Sequence, residues 1–387
     1  MDTKPGVLII EGHVQGLSNV RALGEHGIPV WVIDKSDCVA RYSKYCQNFA
    51  ICPDYDSDSF IAFLIHFSEQ HQLNNWLLLP SNDHAVYNIS KNKENLSAHF
   101  KLITENLETV LKIYDKVELL KIAQEIGVDY PLYETYNNLS ECKASQLTFP
   151  LITKGNNGLS FYKKTKTKVL LSNSLEELEN NLKNLESKIP LKETFTQEIL
   201  PYSEENKTIS FTCFSINGEI KAHWIGVKLR EHPLRFGTAT LAESIEKKEL
   251  YLPSQKLMQT LNYTGICEIE YLLDIRDKKY KLIEINARTW LWVGLAKACG
   301  VNYAKLAYDF VNGVTIKESK NYEIGTVWFN PITNVFFGIK GLLLGRVKLK
   351  SIFENIPKKK INALFQKGDR KPGFMYFVLL FKIFKTR

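Results

Sequence analysis

The sequence predicts an α/β fold with α+β character: an N-terminal region with parallel strands, then a larger region built on long antiparallel hairpins. Two observations carry that expectation. Val7-Leu-Ile-Ile10 is a short apolar strand, Leu17 to Gly24 reads as a helix, and Gly27-Ile-Pro-Val-Trp-Val-Ile-Asp34 is the next strand, which makes a βαβ unit. Farther on, Thr208 to Ile216 and Ile220 to Arg230 meet at Asn217-Gly218, a strong hairpin signal. Gly265 to Asp274 and Lys281 to Arg288 alternate in the same manner around the short turn Asp274 to Lys279.

In the N-terminal region, Glu11 to Gly16 reads as the turn between strand and helix, and it lacks the G-x-G-x-x-G spacing of a dinucleotide site. Leu77-Leu-Leu-Pro-Ser-Asn-Asp83 is a second buried strand that ends in polar groups, where open α/β sheets bind ligands. His13, Gly16, Ser81 and Asp83 are therefore candidate substrate contacts, with capping and turn roles as the competing reading for His13 and Asp83.

Tyr114 to Pro131 reads as a helix from an Asp N-cap to a Gly stop, with Pro beyond it. Its first residue is Lys116. Phe149-Pro-Leu-Ile-Thr-Lys-Gly155 is an apolar strand ending in Lys154, 38 residues later. Gly155-Asn-Asn-Gly-Leu-Ser160 reads as a turn-rich loop, followed by Lys163, Lys164, Lys166 and Lys168, able to cover an anion with backbone N–H groups and ammonium charge. Thr196-Gln-Glu-Ile-Leu-Pro-Tyr-Ser-Glu-Glu205 comes next. Lys228 and Arg230 close the second hairpin strand, ahead of Glu231 to Thr240.

The densest chemistry lies at Lys281-Leu-Ile-Glu-Ile-Asn-Ala-Arg288, because strand alternation puts Glu284, Asn286 and Arg288 on one face. The preceding strand carries Glu268 and Glu270 on one face as well. Carboxylate and amide oxygens are hard ligands suited to Mg²⁺, and a guanidinium beside them can hold an anion that the metal leaves partly uncompensated.

These motifs, in this order over roughly residues 6 to 315, resemble the ATP-grasp superfamily, and within it the carboxylate–amine ligases that include bacterial D-aspartate ligases. The chain departs from that pattern at Ala287, where Pro or Thr is commoner, and at Tyr202, where Gly is common. The resemblance implies an ATP-grasp fold behind a Rossmann-like domain, with residues 1–110 preceding the ATP-grasp domain at 111–315. Within the latter it implies a small lid at about 135–200 and a catalytic part at about 200–315. It implies ATP and Mg²⁺, or Mn²⁺, as cofactors. Glu284, Asn286 and either Glu270 or Glu268 would hold the metal, with Glu270 preferred. Lys116 and Lys154 would contact phosphates. The backbone at Glu198, Ile199 and Leu200 would face adenine, with Glu204 or Glu205 at the ribose. Lys228, Arg230 and Arg288 would act on the transferring phosphoryl group and the oxyanion. The implied reaction joins a small carboxylate to an amine through an acylphosphate, with an amino acid and a cell-envelope or polysaccharide precursor, or another small metabolite, as substrates. Carboxylase or carbamoyl-phosphate chemistry is the alternative, and a non-catalytic ATP-binding protein at a membrane surface is a third reading.

With 387 residues, 44% of them hydrophobic, the chain can bury two or three domain cores. Its seven cysteines show no C-x-x-C and no signal peptide is evident, so a reducing cytoplasm is expected. His66 and His71 do not read as a metal pair. From Lys340 to Arg387, 13 Lys and Arg face only Glu354 and Asp369, a net +11 that leaves −3 elsewhere. Residues 316–387 thus read as a basic extension with short apolar clusters. It suits peripheral contact with an anionic membrane or a lipid-linked acceptor, or else a packed helix with a solvated basic face. No nucleic-acid motif accompanies the charge. The oligomeric state is left open between monomer and homodimer.

Overall fold

A computed structural model describes residues 5–201, 203, 206–232, 237–319, 321–343 and 360–386. Three sheets organise the described residues. The first is parallel throughout, with β1 (Val7–Ile10), β2 (Val30–Asp34), β3 (Asn48–Ile51), β4 (Trp76–Pro80) and β5 (Phe100–Leu102) in the order 3-2-1-4-5. All four residues of β1 are fully buried, as expected of a central strand with helices on both faces. Strand order reverses between β1 and β4, so their carboxyl ends flank the crevice where such sheets take ligands.

The second sheet has four strands, β6 (Tyr133–Glu134), β7 (Leu151–Gly155), β8 (Leu170–Ser172) and β9 (Thr194–Glu198), in the order 6-9-7-8. The third contains β10 (Ile209–Ile216), β11 (Glu219–His232), β12 (Thr238–Ser244), β13 (Gly265–Asp274), β14 (Lys279–Asn286), β15 (Val327–Phe329) and β16 (Lys360–Asn362). Its order is 14-13-10-11-12-15-16. Asn217 and Gly218 both have positive φ, 49° and 78°, the twisted two-residue turn that the Asn-Gly pair specifies.

The helix Lys116–Glu125 starts where its cap dictates: the Asp115 carboxylate accepts from the N–H groups of Val117 and Glu118, and Gly127 turns the chain left-handed at φ 68°. Two expected elements differ. The first helix begins at Val14, three residues before the expected Leu17, so Gly16 lies inside it. A Cβ on Gly16 would sit 2.2 Å from the Glu11 carbonyl oxygen, and only glycine lets the helix approach the strand end so closely. The expected lysine-bearing loop after β7 is largely the helix Gly158–Thr165, capped by Asn157. Its Lys164 pairs with Glu193 at 2.9 Å.

The C-terminal segment returns to the N-terminal sheet. Ala363, Leu364, Tyr376 and Leu379 join one apolar core with Val14, Leu17 and Val20. Arg21 donates to Asp369 Oδ2 at 2.8 Å and to the Leu364 carbonyl at 2.8 Å. No described helix is long and apolar enough to cross a membrane.

Candidate active site

Antiparallel pairing of β13 with β14 sets Glu270 opposite Glu284 and Glu268 opposite Asn286. Facing carboxylates repel, so the arrangement needs cations. Two lysines from distant elements supply them: Lys116 Nζ lies 2.9 Å from Glu284 Oε2 and Lys228 Nζ 2.8 Å from Glu270 Oε1. Lys116, chiefly, holds the Glu284 carboxyl well below the usual carboxylate range. Glu268 has no lysine hydrogen bond among the described residues, although the Lys228 charge is near. It accepts from Ser210 Oγ at 2.7 Å and Asn286 Nδ2 at 3.1 Å, and burial, then Glu270, pushes it up to about 8.

Lys154 is the next-to-last residue of β7 on the facing sheet, 3.3 Å from Gln197 Oε1. Burial, then the neighbouring Lys116 charge, lowers it to about 8. The bridge between Asp115 and Asn157 and the bond from Lys116 N–H to the Asn156 carbonyl, 2.8 Å, bring the glycine-rich turn after β7 beside Lys116. A Cβ on Gly158 would meet Lys116 Cε at 4.0 Å, so the N-terminus of the helix Gly158–Thr165 opens at this lysine. Helix N-terminal N–H groups with two lysines form a setting for phosphate oxygens.

The Glu198 side chain is a brace. Its Oε1 accepts from Thr148 N–H at 3.0 Å and its Oε2 from Arg276 Nη1 at 2.9 Å, while Arg276 also grips Asp274. The N–H groups of Glu198 and Ile199 donate to the Leu132 and Pro150 carbonyls. The Leu200 N–H has no partner among the described residues. Glu204 and Glu205, the expected ribose acids, lie outside the described residues, as does Tyr202. Arg230 Nη1 donates to Asn334 Oδ1 at 2.5 Å.

Beyond β14, Arg288 crosses to the N-terminal sheet. Nε and Nη2 bind the two oxygens of Asp83 at 2.8 and 3.0 Å, and Nη2 also reaches Asn286 Oδ1 at 3.2 Å. Asp83 opens the helix after β4, and Tyr114 donates to its carbonyl at 3.1 Å. The network continues through Asn19 Nδ2, which donates to Thr289 Oγ1 at 3.0 Å and lies 3.5 Å from Ser81 Oγ. Gln15 bridges the Ser81 carbonyl, 3.3 Å, and Glu11 Oε2, 2.9 Å. His13 Nδ1 is 3.3 Å from Gln15 Oε1 and its ring is 6.3 Å from that of Tyr376. Thus Ser81, Asp83, His13 and Arg288 gather around the β1–β4 crevice, whereas Gly16 serves helix packing.

Glu11 was missed in the sequence, although it is the residue there whose chemistry stands out. It adopts φ 74° at the end of β1, held by its N–H to the Ile33 carbonyl at 2.9 Å. Burial first, then Asp34, raises its carboxyl to about 7, against the lowering influence of Arg288. Its carboxylate is met by a neutral amide and, among the described residues, by no lysine or arginine hydrogen bond. The only sequence signal is a lone acid at the end of an apolar strand.

Residues 238–319 match the family described as carbamoyl-phosphate synthase L chain, ATP binding domain. The chain is 22% identical to a D-aspartate ligase of Enterococcus faecium (strain Aus0004) over 283 residues, 70% of this chain and 67% of the relative. Its structure is similar to N5-carboxyaminoimidazole synthetase from Staphylococcus aureus, with a TM-score of 0.67 and 15% identity over 89% of this chain and 87% of that one. It is also similar to L-amino acid ligase from Bacillus licheniformis, with a TM-score of 0.60 and 15% identity over 81% and 75% of the two chains. With the parallel sheet leading into two further sheets that face each other across paired lysines and acids, the chain has the ATP-grasp fold of these solved structures.

Proposed function

We propose that this ligase activates a small carboxylate with ATP and passes the acyl group to an amine, forming an amide. The observation that carries the reading is the Arg288 clamp, which ties the acidic hairpin of the nucleotide side to the crevice of the N-terminal sheet.

The donor set fits Mg²⁺. Glu270, Glu284 and Asn286 offer hard oxygens on adjacent strands, with Glu268 behind them, and the lysines now paired with these acids are the charges a cation would replace. Among the described residues no three His, Cys, Asp or Glu side chains converge, and the proposed set is two carboxylates and one amide oxygen. When bound there, the metal would withdraw charge from phosphate oxygens.

The residues of the chain then divide the work. Lys116 and Lys154 neutralise phosphate oxygens, Lys154 gaining its full charge beside them. The backbone at Glu198, Ile199 and Leu200 lines the adenine edge, and Glu204 or Glu205 serves the ribose. A substrate carboxylate oxygen attacks the γ-phosphorus, the bond to the β,γ-bridging oxygen breaks, and ADP leaves. Lys228 and Arg230 hold the moving phosphoryl group. The amine nitrogen attacks the acyl carbon, Arg288 stabilises the oxyanion, and the acyl C–O bond breaks to release phosphate. An ammonium must first lose a proton, and Glu11 is the carboxylate we assign to hold it and receive that proton. His13, Ser81 and Asp83 shape the same crevice.

An amino acid as one substrate is supported by the names of the D-aspartate ligase and L-amino acid ligase to which the chain is similar. We read the enzyme as cytoplasmic and, through its basic C-terminal segment, as peripheral at the inner face of the membrane. Phosphate release with ATP and Mg²⁺ across a matrix of amino acids and acidic acceptors tests the reading. Oxygen-18 placed in the substrate carboxylate should appear in the released phosphate. Turnover driven by bicarbonate alone, with no label transfer from any carboxylic acid, would instead select the carboxylase-type reaction.

A further inference from the structure

The C-terminal helix Lys371–Thr386 is apolar on two faces. One face is used: Tyr376 and Leu379 are buried, and the Tyr376 hydroxyl hydrogen-bonds Asn330, the residue before the helix Pro331–Leu343. The other looks outward. Phe374, Phe377 and Val378 are 63%, 46% and 47% exposed, at the i, i+3, i+4 spacing that puts them on one stripe. Val335 and Leu342 of the helix Pro331–Leu343 add exposed apolar surface in the same extension.

This stripe is held in place. Asp369, two residues before the helix, accepts from Arg21, from Ser43 Oγ at 2.8 Å and from Lys44 N–H at 2.8 Å. Gly373 packs so tightly that a Cβ would lie 2.4 Å from Phe365 Cε1. A fixed apolar stripe on a surface helix needs an occupant.

Charge selects it. Exposed Lys367, Arg370 and Lys371 flank the stripe, within a segment carrying 13 Lys and Arg against two acids. A second copy of the chain, meeting the first across a two-fold axis, would bring the same cationic segment against itself. A bilayer of anionic lipid accepts aromatic side chains at its acyl boundary and cations at its headgroups. We infer that the stripe Phe374, Phe377 and Val378, with its flanking lysines and arginines, is the surface by which the enzyme docks on an anionic lipid bilayer. The inner sides of the same elements reach the site, through Asn334 on Arg230 and Tyr376 beside His13. Docking therefore holds against the membrane the same helices that pack on the site. The inference deepens the location given above and is independent of the ligase chemistry.

The test uses the full chain with vesicles of phosphatidylcholine alone and of phosphatidylcholine mixed with phosphatidylglycerol. Wild-type protein should sediment with the anionic vesicles at low salt, leave them at high salt and ignore the neutral ones. The triple variant Phe374→Ser, Phe377→Ser, Val378→Ser should bind at least tenfold less, with unchanged thermal midpoint and unchanged ATP turnover on soluble substrates. In a separate variant, Phe377→Trp should add emission that brominated lipid quenches, which tests insertion even where the triple variant folds poorly. Absence of binding to anionic vesicles, equal binding by a folded triple variant, or an unquenched tryptophan would overturn the inference. So would a wild-type dimer that the triple variant dissolves, since the stripe would then be covered by a second copy.

Discussion

Arg288 and Asp83, 205 residues apart, meet in a two-point clamp with N–O distances of 2.8 and 3.0 Å. The planar guanidinium matches the carboxylate edge and still spares an N–H for Asn286 Oδ1, which no ammonium could do in the same geometry. One residue thus links the acidic β13–β14 hairpin and the β1–β4 crevice.

Arg288→Lys should consequently lower kcat by about 10²- to 10³-fold, the range seen when one oxyanion donor is lost. The thermal midpoint should move little, because the pair is partly solvated. Steady-state kinetics beside a melting curve check it; full turnover in the lysine variant refutes the role.

Glu284→Gln should abolish ATP turnover, because an amide supplies no charge to the cation and none to Lys116. The Glu284 side chain is 36% exposed, so loss of its pair with Lys116 should cost the unliganded fold about 1 kcal/mol or less. Undiminished turnover in a folded variant removes Glu284 from the metal site.

Lys154 gives a pH signature. Its ammonium is lowered from 10.5 to about 8, so between those values the unfolded chain binds more protons than the folded one. Stability of the unliganded protein should therefore rise with pH across about 8 to 10.5, the penalty of a buried charge being complete below 8. A triphosphate favours the charged form. ATP binding should take up a proton near pH 8, visible in calorimetry as a dependence on buffer ionisation enthalpy, and affinity should fall above it. Lys154→Met should flatten both profiles.

The C-terminal latch has its own test. Arg21 and Asp369 are 5% and 2% exposed, and removing one partner strands the other charge in the core. Asp369→Ala should cost about 3–5 kcal/mol in chemical denaturation, and limited proteolysis should then cut before residue 371.

The β13–β14 hairpin and the helix at Lys116 were legible because period-two alternation, an Asp cap and a Gly stop are local signals. The helix Gly158–Thr165 was not, since Gly155-Asn-Asn-Gly158 advertises a turn while the Asn157 cap that starts the helix reads the same as a loop residue. The helix start at Val14 also lacked a signal: His13 makes no side-chain cap bond. Asp83 and Arg288 were each singled out, but nothing in the chain links residues that far apart until the strand order places them at one crevice. Glu11 failed to register for a related reason. Its left-handed φ occurs where Gly16 packs on its carbonyl, and its carboxyl is raised by burial and then by Asp34 and Asp83, features of the tertiary structure.

That residue yields the sharpest division of the reaction. If Glu11 receives the proton of the attacking ammonium, it matters only after the acylphosphate has formed. Glu11→Gln should therefore retain ADP formation when hydroxylamine is supplied as the trapping nucleophile, while KM for the amine substrate rises at least tenfold and amide formation slows. Since the carboxyl lies at about 7, wild-type amide formation should fall as pH drops through that value, and the glutamine variant should lose the inflection. Glu11→Gly separates chemistry from architecture. Glycine accepts φ 74° without the penalty that Glu11 bears, so this variant should fold at least as well, with a gain of up to about 1 kcal/mol, and yet lose the same step. If either variant forms amide at the wild-type rate with an unaltered pH profile, the proton passes to another group.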